Sequence, residues 1–259
     1  MADLDKFQAQ LHVIAFTESY TLAPTSYAAV TAVTDGVFSR ASDTGLYVPA
    51  GMKLVAAYGQ LPFTNSRMRI NAPSMLKVGY PQIVPMGALA GDDDPNFQVL
   101  LDRPINFPNN EVVGVDAIAA SGASQRAFSL LFFAKDIAPL PPGDAFWIRG
   151  EASTSTTANA WTTLDLNWDV TLPEGTWAII GFVHVCSTGV AARLVFPGSS
   201  YRPGTLTVGT TSERTHAAFL EGKFGVFGQF AAFAPPSVEA LTSAAATDHQ
   251  VFIRVVRVA

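Results

Sequence analysis

Short runs of Val, Ile, Leu, Phe, Tyr, Trp and Thr alternate along this chain with clusters of Gly, Pro, Asn and Ser. Apolar positions recur mostly every second residue, the period of a strand with one face buried, and long helical periodicity is almost absent. The pattern predicts a first strand within residues 8–22, centred on 11–16, and a run of small and β-branched residues over 27–38. Val48-Pro49-Ala50-Gly51 predicts a turn, because Pro presets φ and Gly accepts a positive φ. Strands follow over 52–61, 67–70, 97–101 and 125–134. Residues 111–120 suit a strand or a short helix. The later chain predicts strands at 146–149, within 161–170, and over 176–186, 190–196 and 205–208. Runs at 223–230 and 237–246 and an apolar strand at 251–258 complete it.

The pattern occurs twice. Pro49/Pro173, Gly51/Gly175, Thr64/Thr188, Arg69/Arg193 and Pro73/Pro197 share one offset of 124 (173 − 49) with no gap. Val48/Leu172, Val55/Ile179, Tyr58/Phe182 and Ile70/Leu194 keep their apolar character in the same register. A second block, Val115-Asp116-Ala117-Ile118, matches Val238-Glu239-Ala240-Leu241 at an offset of 123 (238 − 115). That register continues through Phe128/Val251, Leu130/Ile253 and Phe132/Val255. Two blocks repeating in order at this period indicate a duplicated domain, not a solenoid. Ile14 precedes Pro49 by 35 positions (49 − 14), whereas Ile148 precedes Pro173 by 25 (173 − 148), so the first copy is expected to carry a longer early loop.

Pro139, Pro141 and Pro142 form a stiff stretch between the copies. The expected division is a first domain at 1–137, a Pro-rich linker at 138–143 and a second domain at 144–259. About eight strands per copy is the strand count of a jelly roll. The predicted fold class is all-β, with two tandem jelly-roll β-sandwich domains, a double jelly roll.

Composition narrows the function classes. Hydrophobic residues make up 49% of the 259 and charged residues only 14%, against about 25% charged in ordinary soluble domains. So low a charge fits either an extended buried core or outer faces covered by partners, as in subunits of large assemblies. Net charge is −5, with 9 Lys/Arg and 12 Asp/Glu in residues 1–136 and 7 and 9 in residues 137–259. Neither copy supplies the basic face that nonspecific nucleic-acid binding requires, so no sequence-specific nucleic-acid binding is expected either. The first residues lack a signal-peptide pattern. No apolar run reaches the ~18 residues of a membrane-crossing helix. Synthesis and assembly in a cytosol are expected.

Candidate chemistry is sparse. No two of His12, His184, His216 and His249 are spaced as metal ligands. His184 lies in an alternating run and reads as a core or interface histidine. The lone Cys186 excludes an intramolecular disulfide and reads as an inert buried thiol, with no cysteine-based zinc site expected. Duplicated β-barrels of this size include two-domain cupins, but their histidine set is missing from both copies, and the counterpart of His184 is Gln60. Asp92-Asp93-Asp94 could hold a hard cation but reads as a solvated loop. No Gly-x-Ser-x-Gly elbow occurs. Trp147, Trp161, Trp168 and Trp177 crowd the second copy alone, which does not support a duplicated sugar platform. Arg69 and Arg193 stand out as charges kept in both apolar strands. They are open to capping a loop carbonyl, pairing with an acid or meeting another subunit, with a structural hydrogen bond at the strand end as the plainest reading. No catalytic, cofactor or metal residues are assigned, and no enzyme is expected.

Two consecutive β-sandwich copies, a short linker and no catalytic constellation resemble the small double jelly-roll major capsid proteins of icosahedral DNA viruses and phages. The resemblance covers nearly the whole chain and rests on architecture. It implies a structural role in a virion assembled in the host cytoplasm. It further implies a homotrimer whose six similar modules form a pseudo-hexameric capsomer, capsomer–capsomer contacts, and contacts with penton or other capsid proteins and an internal membrane. The rival expectations are a tandem binding module, such as a tail fibre, an adhesin or a carbohydrate-binding protein, and a β-sandwich enzyme.

Overall fold

A computed structural model describes residues 10–77, 83–84, 97–208, 219 and 222–259. It divides into two compact units, Ile14–Lys135 and Met1–Val13 with Asp136–Ala259. The division falls just ahead of the Pro-rich stretch, so residues 138–143 group with the second unit. Ala138 packs there against Ala178, Ile180, Val226 and Val256. Residues 12 and 13 also group with that unit: the Val13 N–H donates to the Arg202 carbonyl (3.0 Å), and the Arg202 N–H donates to His12 Nδ1 (3.0 Å).

In chain order the first unit contains β1 (Leu11–Leu22) from Ile14 onward, β2 (Ala28–Val30), β3 (Arg40–Ser42), β4 (Gly45–Tyr47), β5 (Lys53–Gln60) and β6 (Arg67–Asn71). A single helical turn, α1 (Pro73–Lys77), and β7 (Ile83–Val84), β8 (Phe97–Val99), β9 (Ile105–Asn106), β10 (Val112–Ile118) and β11 (Ala123–Ala134) complete it. One sheet runs β1-β11-β5, with β8 and β9 both on the far edge of β5. The other places β2 and β4 on β10, followed by β6 and β7.

The second unit contains β12 (Ala145–Ala152), β13 (Thr162–Leu164), β14 (Asn167–Trp168), β15 (Thr176–Val185) and β16 (Gly189–Val195). After these come β17 (Gly204–Val208), β18 (Gly228–Ala231), β19 (Ser237–Thr242) and β20 (His249–Arg257). Its strands run β12-β20-β15 with β18 on β15, and β13-β19-β16-β17. Numbering the eight principal strands of each unit in chain order gives the same plan twice, 1-8-3-6 in one sheet and 2-7-4-5 in the other. That is jelly-roll topology, and the chain is all-β with two tandem jelly-roll sandwiches.

The register repeats residue by residue. Arg69 pairs with Asp116 across β6–β10, and Arg193 with Glu239 across β16–β19. Tyr58 opposes Leu130 in β5–β11, and Phe182 opposes Ile253 in β15–β20. Lys53 opposes Asn106, and Trp177 opposes Phe230. Both central pairs slip register within one residue of the equivalent place, at Val55 and at Ile180. The early strands keep an offset of 134 instead: Val30 meets Val115 as Leu164 meets Val238 (164 − 30). The ten-residue difference (134 − 124) lies between Val30 and Pro49, where the β3–β4 hairpin occupies the extra length. The longer early loop of the first copy is therefore a hairpin.

The cores follow from the same strands. Ile14, Phe16, Leu54, Tyr58, Leu130 and Phe133 are buried in the first unit with Leu46, Met68, Ile70 and Val115. Ile179, Phe182, Val251, Ile253 and Val255 are buried in the second with Leu164, Leu194, Leu206 and Val238. In β10 every residue from Val113 to Ala117 is buried, so the apolar–polar alternation that would have separated strand from helix is absent there. Residues 111–120 resolve as a strand because three neighbours, β2, β4 and β6, pair with it.

Candidate functional site

Arg69 and Arg193 pair with an acid, one of the three roles open to them, and the partner is on the neighbouring strand. Arg69 Nη2 lies 2.9 Å and Nε 3.0 Å from Asp116 Oδ2, and Asn71 Nδ2 donates to Asp116 Oδ1 at 3.1 Å. Arg193 Nε donates to Glu239 Oε2 at 2.6 Å, and Arg202 Nη1 joins the same carboxylate at 3.1 Å. Each arginine also lies over an aromatic ring, Arg69 3.8 Å from the centroid of Tyr27 and Arg193 4.2 Å from that of Trp161. Tyr27 and Trp161 share the early offset of 134 (161 − 27), so the whole aromatic–arginine–carboxylate stack is duplicated. Burying an arginine demands a paired charge, and a ring face adds cation–π attraction. These stacks lock sheet register and are structural.

Among the described residues, the chemistry-bearing cluster belongs to the second unit alone. His184 from β15, His249 from the start of β20 and Cys186 just beyond β15 are all buried. The β15–β20 register places His184 opposite Val251 and Val185 opposite Gln250, which brings His249 to the rim beside Cys186. One ligand atom from each of the three lies within 4.8 Å of the others.

Hydrogen bonding fixes the protons by elimination. The Ala246 carbonyl can only accept, so His249 Nε2, 3.2 Å away, carries a proton and donates to it. In a neutral His249 ring, Nδ1 is then a lone pair. His184 Nε2 lies 3.2 Å from it and donates, and His184 Nδ1 accepts from Thr207 Oγ1 at 2.7 Å. The ring planes are 12° apart with centroids 5.5 Å apart, so the imidazoles meet edge to edge. Burial, then repulsion from His249, pushes His184 down to about 3 against the pull of Asp248. His184 is thus neutral at physiological pH.

Cys186 Sγ–H donates to Asp248 Oδ1 (3.4 Å), which also accepts from Ser187 Oγ–H (3.1 Å), while Oδ2 accepts from the Ser187 N–H (3.0 Å). Burial is the main influence raising the thiol above its ordinary range, and its bond to Asp248 raises it further. Burial is the largest single influence and opposes Asp248 ionisation, but the Ser187 and Cys186 hydrogen bonds together hold its carboxyl below the usual range. Asp248 and Ser187 are exposed, so the cluster has a polar rim open to water.

A lone cysteine rules out sites needing several thiolates, yet a set of two histidines and one cysteine needs only one. The grounds for expecting no cysteine-based zinc site, a lone Cys186 and the histidine spacings, therefore do not bear on these three converging residues. The histidine spacings hide the cluster because its partners are 65 positions apart (249 − 184) and join only through strand pairing. The signal present in the sequence was the mixed pair His184-Val185-Cys186. The first unit has no counterpart, since Gln60 and Arg126 occupy the positions of His184 and His249 at the repeat offsets.

Among the described residues, the remaining candidates do not converge. Asp92–Asp94 and His216 lie outside the described residues. Trp177 is buried, Trp161 lies under Arg193, Trp168 packs against Gly150 of β12, and Trp147 is 41% exposed. The four tryptophans form no common exposed face.

No family model matches the sequence, and no curated protein matches it. Among solved structures, the major capsid protein P2 from bacteriophage PM2 is similar over 96% of this chain and 98% of its own, at 7% identity and a TM-score of 0.21. At that identity and score, the likeness establishes no kinship.

Proposed function

We propose that this protein is a non-enzymatic structural subunit, a major capsid protein whose trimers present six similar modules. The observation that carries this reading is the residue-by-residue repetition of one jelly-roll register in a single chain. Three copies of such a chain give six near-equivalent sandwiches about a threefold axis, and closed cyclic assembly reuses the same complementary surfaces. The low charge fraction and large exposed apolar side chains such as Phe233, at 87% exposure, support covered faces. On this reading the partners are further copies of the chain and other shell components, and the location is the virion. Light scattering of the purified chain, with negative-stain imaging, tests it. Trimers or shells are expected. A monomer at every concentration that binds glycans would establish the tandem binding module instead.

A further inference from the structure

We propose that His184 Nε2, His249 Nδ1 and Cys186 Sγ form a binding site for a zinc-type divalent ion in the second jelly roll. Imidazole nitrogen and thiolate sulfur are the donors such ions take. The two nitrogens are 3.2 Å apart, against about 3.3 Å across a tetrahedral ion with the usual zinc–nitrogen bonds. The widest donor separation allowed by the cluster, 4.8 Å, must close to about 3.6 Å between sulfur and nitrogen. Cys186 lies just past the end of β15, where a side-chain shift of that size leaves the ladder intact. The rings must also turn so that their lone pairs converge toward the thiol.

The outer nitrogens are already held. Thr207 Oγ1 meets His184 Nδ1, and the Ala246 carbonyl meets His249 Nε2, the second set of contacts that orients metal-ligating histidines. The protons balance. His249 Nδ1 presents a lone pair already. The His184 proton moves from Nε2 to Nδ1, where it is donated to the Thr207 hydroxyl, which turns to accept it. The thiol proton leaves to solvent past Asp248. One proton is released per ion. The dication, one thiolate and two neutral rings carry a net charge of +1, which the adjacent Asp248 carboxylate offsets. The exposed Ser187–Asp248 rim supplies an entry path and leaves the fourth coordination position toward water.

The test uses the full chain after chelator treatment, with Co²⁺ and then Zn²⁺ as probes. Expected are one Co²⁺ per chain, a thiolate-to-cobalt charge-transfer band that Zn²⁺ displaces, and slowed alkylation of the thiol by Zn²⁺. Because Cys186 is the single cysteine, both signals report this site without any substitution. Thr207→Val should weaken binding by roughly 10–100-fold, and His249→Gln should remove the band while leaving the thiol present. An absent band together with unchanged alkylation at saturating Zn²⁺ would overturn the site and leave a purely structural polar network. These signals do not depend on oligomeric state, so failure here is distinct from failure of the capsid reading.

Discussion

Arg193 and Glu239 face each other across β16 and β19 at 2.6 Å, and the arginine is 1% exposed while its counterpart Arg69 is 24% exposed. The same ion pair thus occurs twice in one chain at two depths. Removing one partner of a buried pair costs about 3–5 kcal/mol, because the other charge is left stranded, whereas pairs near water are worth far less. Arg193→Ala should therefore destabilise the second unit by about 3 kcal/mol, moderated by Arg202, which still reaches Glu239. Arg69→Ala should cost less, up to about 1 kcal/mol, since Asn71 still donates to Asp116 and the space vacated by the part-exposed Arg69 admits water. Urea unfolding of both variants measures the order, and equal losses would refute the depth argument.

Acid should weaken the metal-free second unit through His184. Its folded pKa of about 3 is below the ordinary 6.5, so between those values the unfolded chain binds a proton that the folded chain refuses. Stability rises with pH wherever the unfolded state holds more protons. The contribution is full above about 6.5 and is lost as pH falls toward 3, to the extent of several kcal/mol. His249, the Cys186 thiol and the Asp248 carboxylate surround the ring, and only Asp248 favours its charging. Unfolding midpoints at pH 7 and pH 5 in chelator should differ in the wild type and converge in His184→Gln. A wild-type midpoint flat across that range would contradict the burial argument.

The paired turn glycines should respond unequally. Gly51 has a φ of +80°, and a β-carbon added there would make only ordinary contact with the Lys135 side chain, 3.8 Å away. Gly51→Ala should cost about 1–2 kcal/mol, the penalty for a left-handed alanine. Gly175 has a φ of +147°, and a β-carbon added there would lie 2.6 Å from the Ala259 carbonyl oxygen. Gly175→Ala should cost more, because strain and a backbone clash combine. Thermal melts of the two variants decide the order.

Phe233 offers a test of the assembly reading. A single exposed aromatic contributes little to a monomer, so Phe233→Ser should change unfolding free energy by less than about 0.5 kcal/mol. Loss of a buried interface aromatic would shift the trimer or shell toward smaller species on light scattering. An unchanged assembly would remove Phe233 from any interface.

The duplication was legible because turns and ion pairs constrain residue type. Pro49/Pro173, Gly51/Gly175 and Arg69/Arg193 could not drift without breaking a turn or stranding a charge. Asp116 and Glu239 were visible as a second repeated block, but strand pairing alone reveals that the two blocks are the halves of one ion pair. The histidine–cysteine cluster was illegible for a related reason. Nothing local ties His184 to His249, and sheet register brings them together. Continuous burial along β10 likewise erased the alternation that identifies strands.

The parallel pairing of β17 with β15, through His184/Thr207 and Val185/Val208, joins the two sheets of the second unit into one continuous ladder. Among the described residues, the first unit keeps two separate ladders. Amide hydrogen exchange should register the difference. The seam at residues 184–185 and 207–208 should open only with the whole second unit, whereas the corresponding edge of the first unit can fray by itself. One chain would then carry a cooperative module and a more pliant one, an asymmetry that the proposed trimer would distribute alternately around its ring.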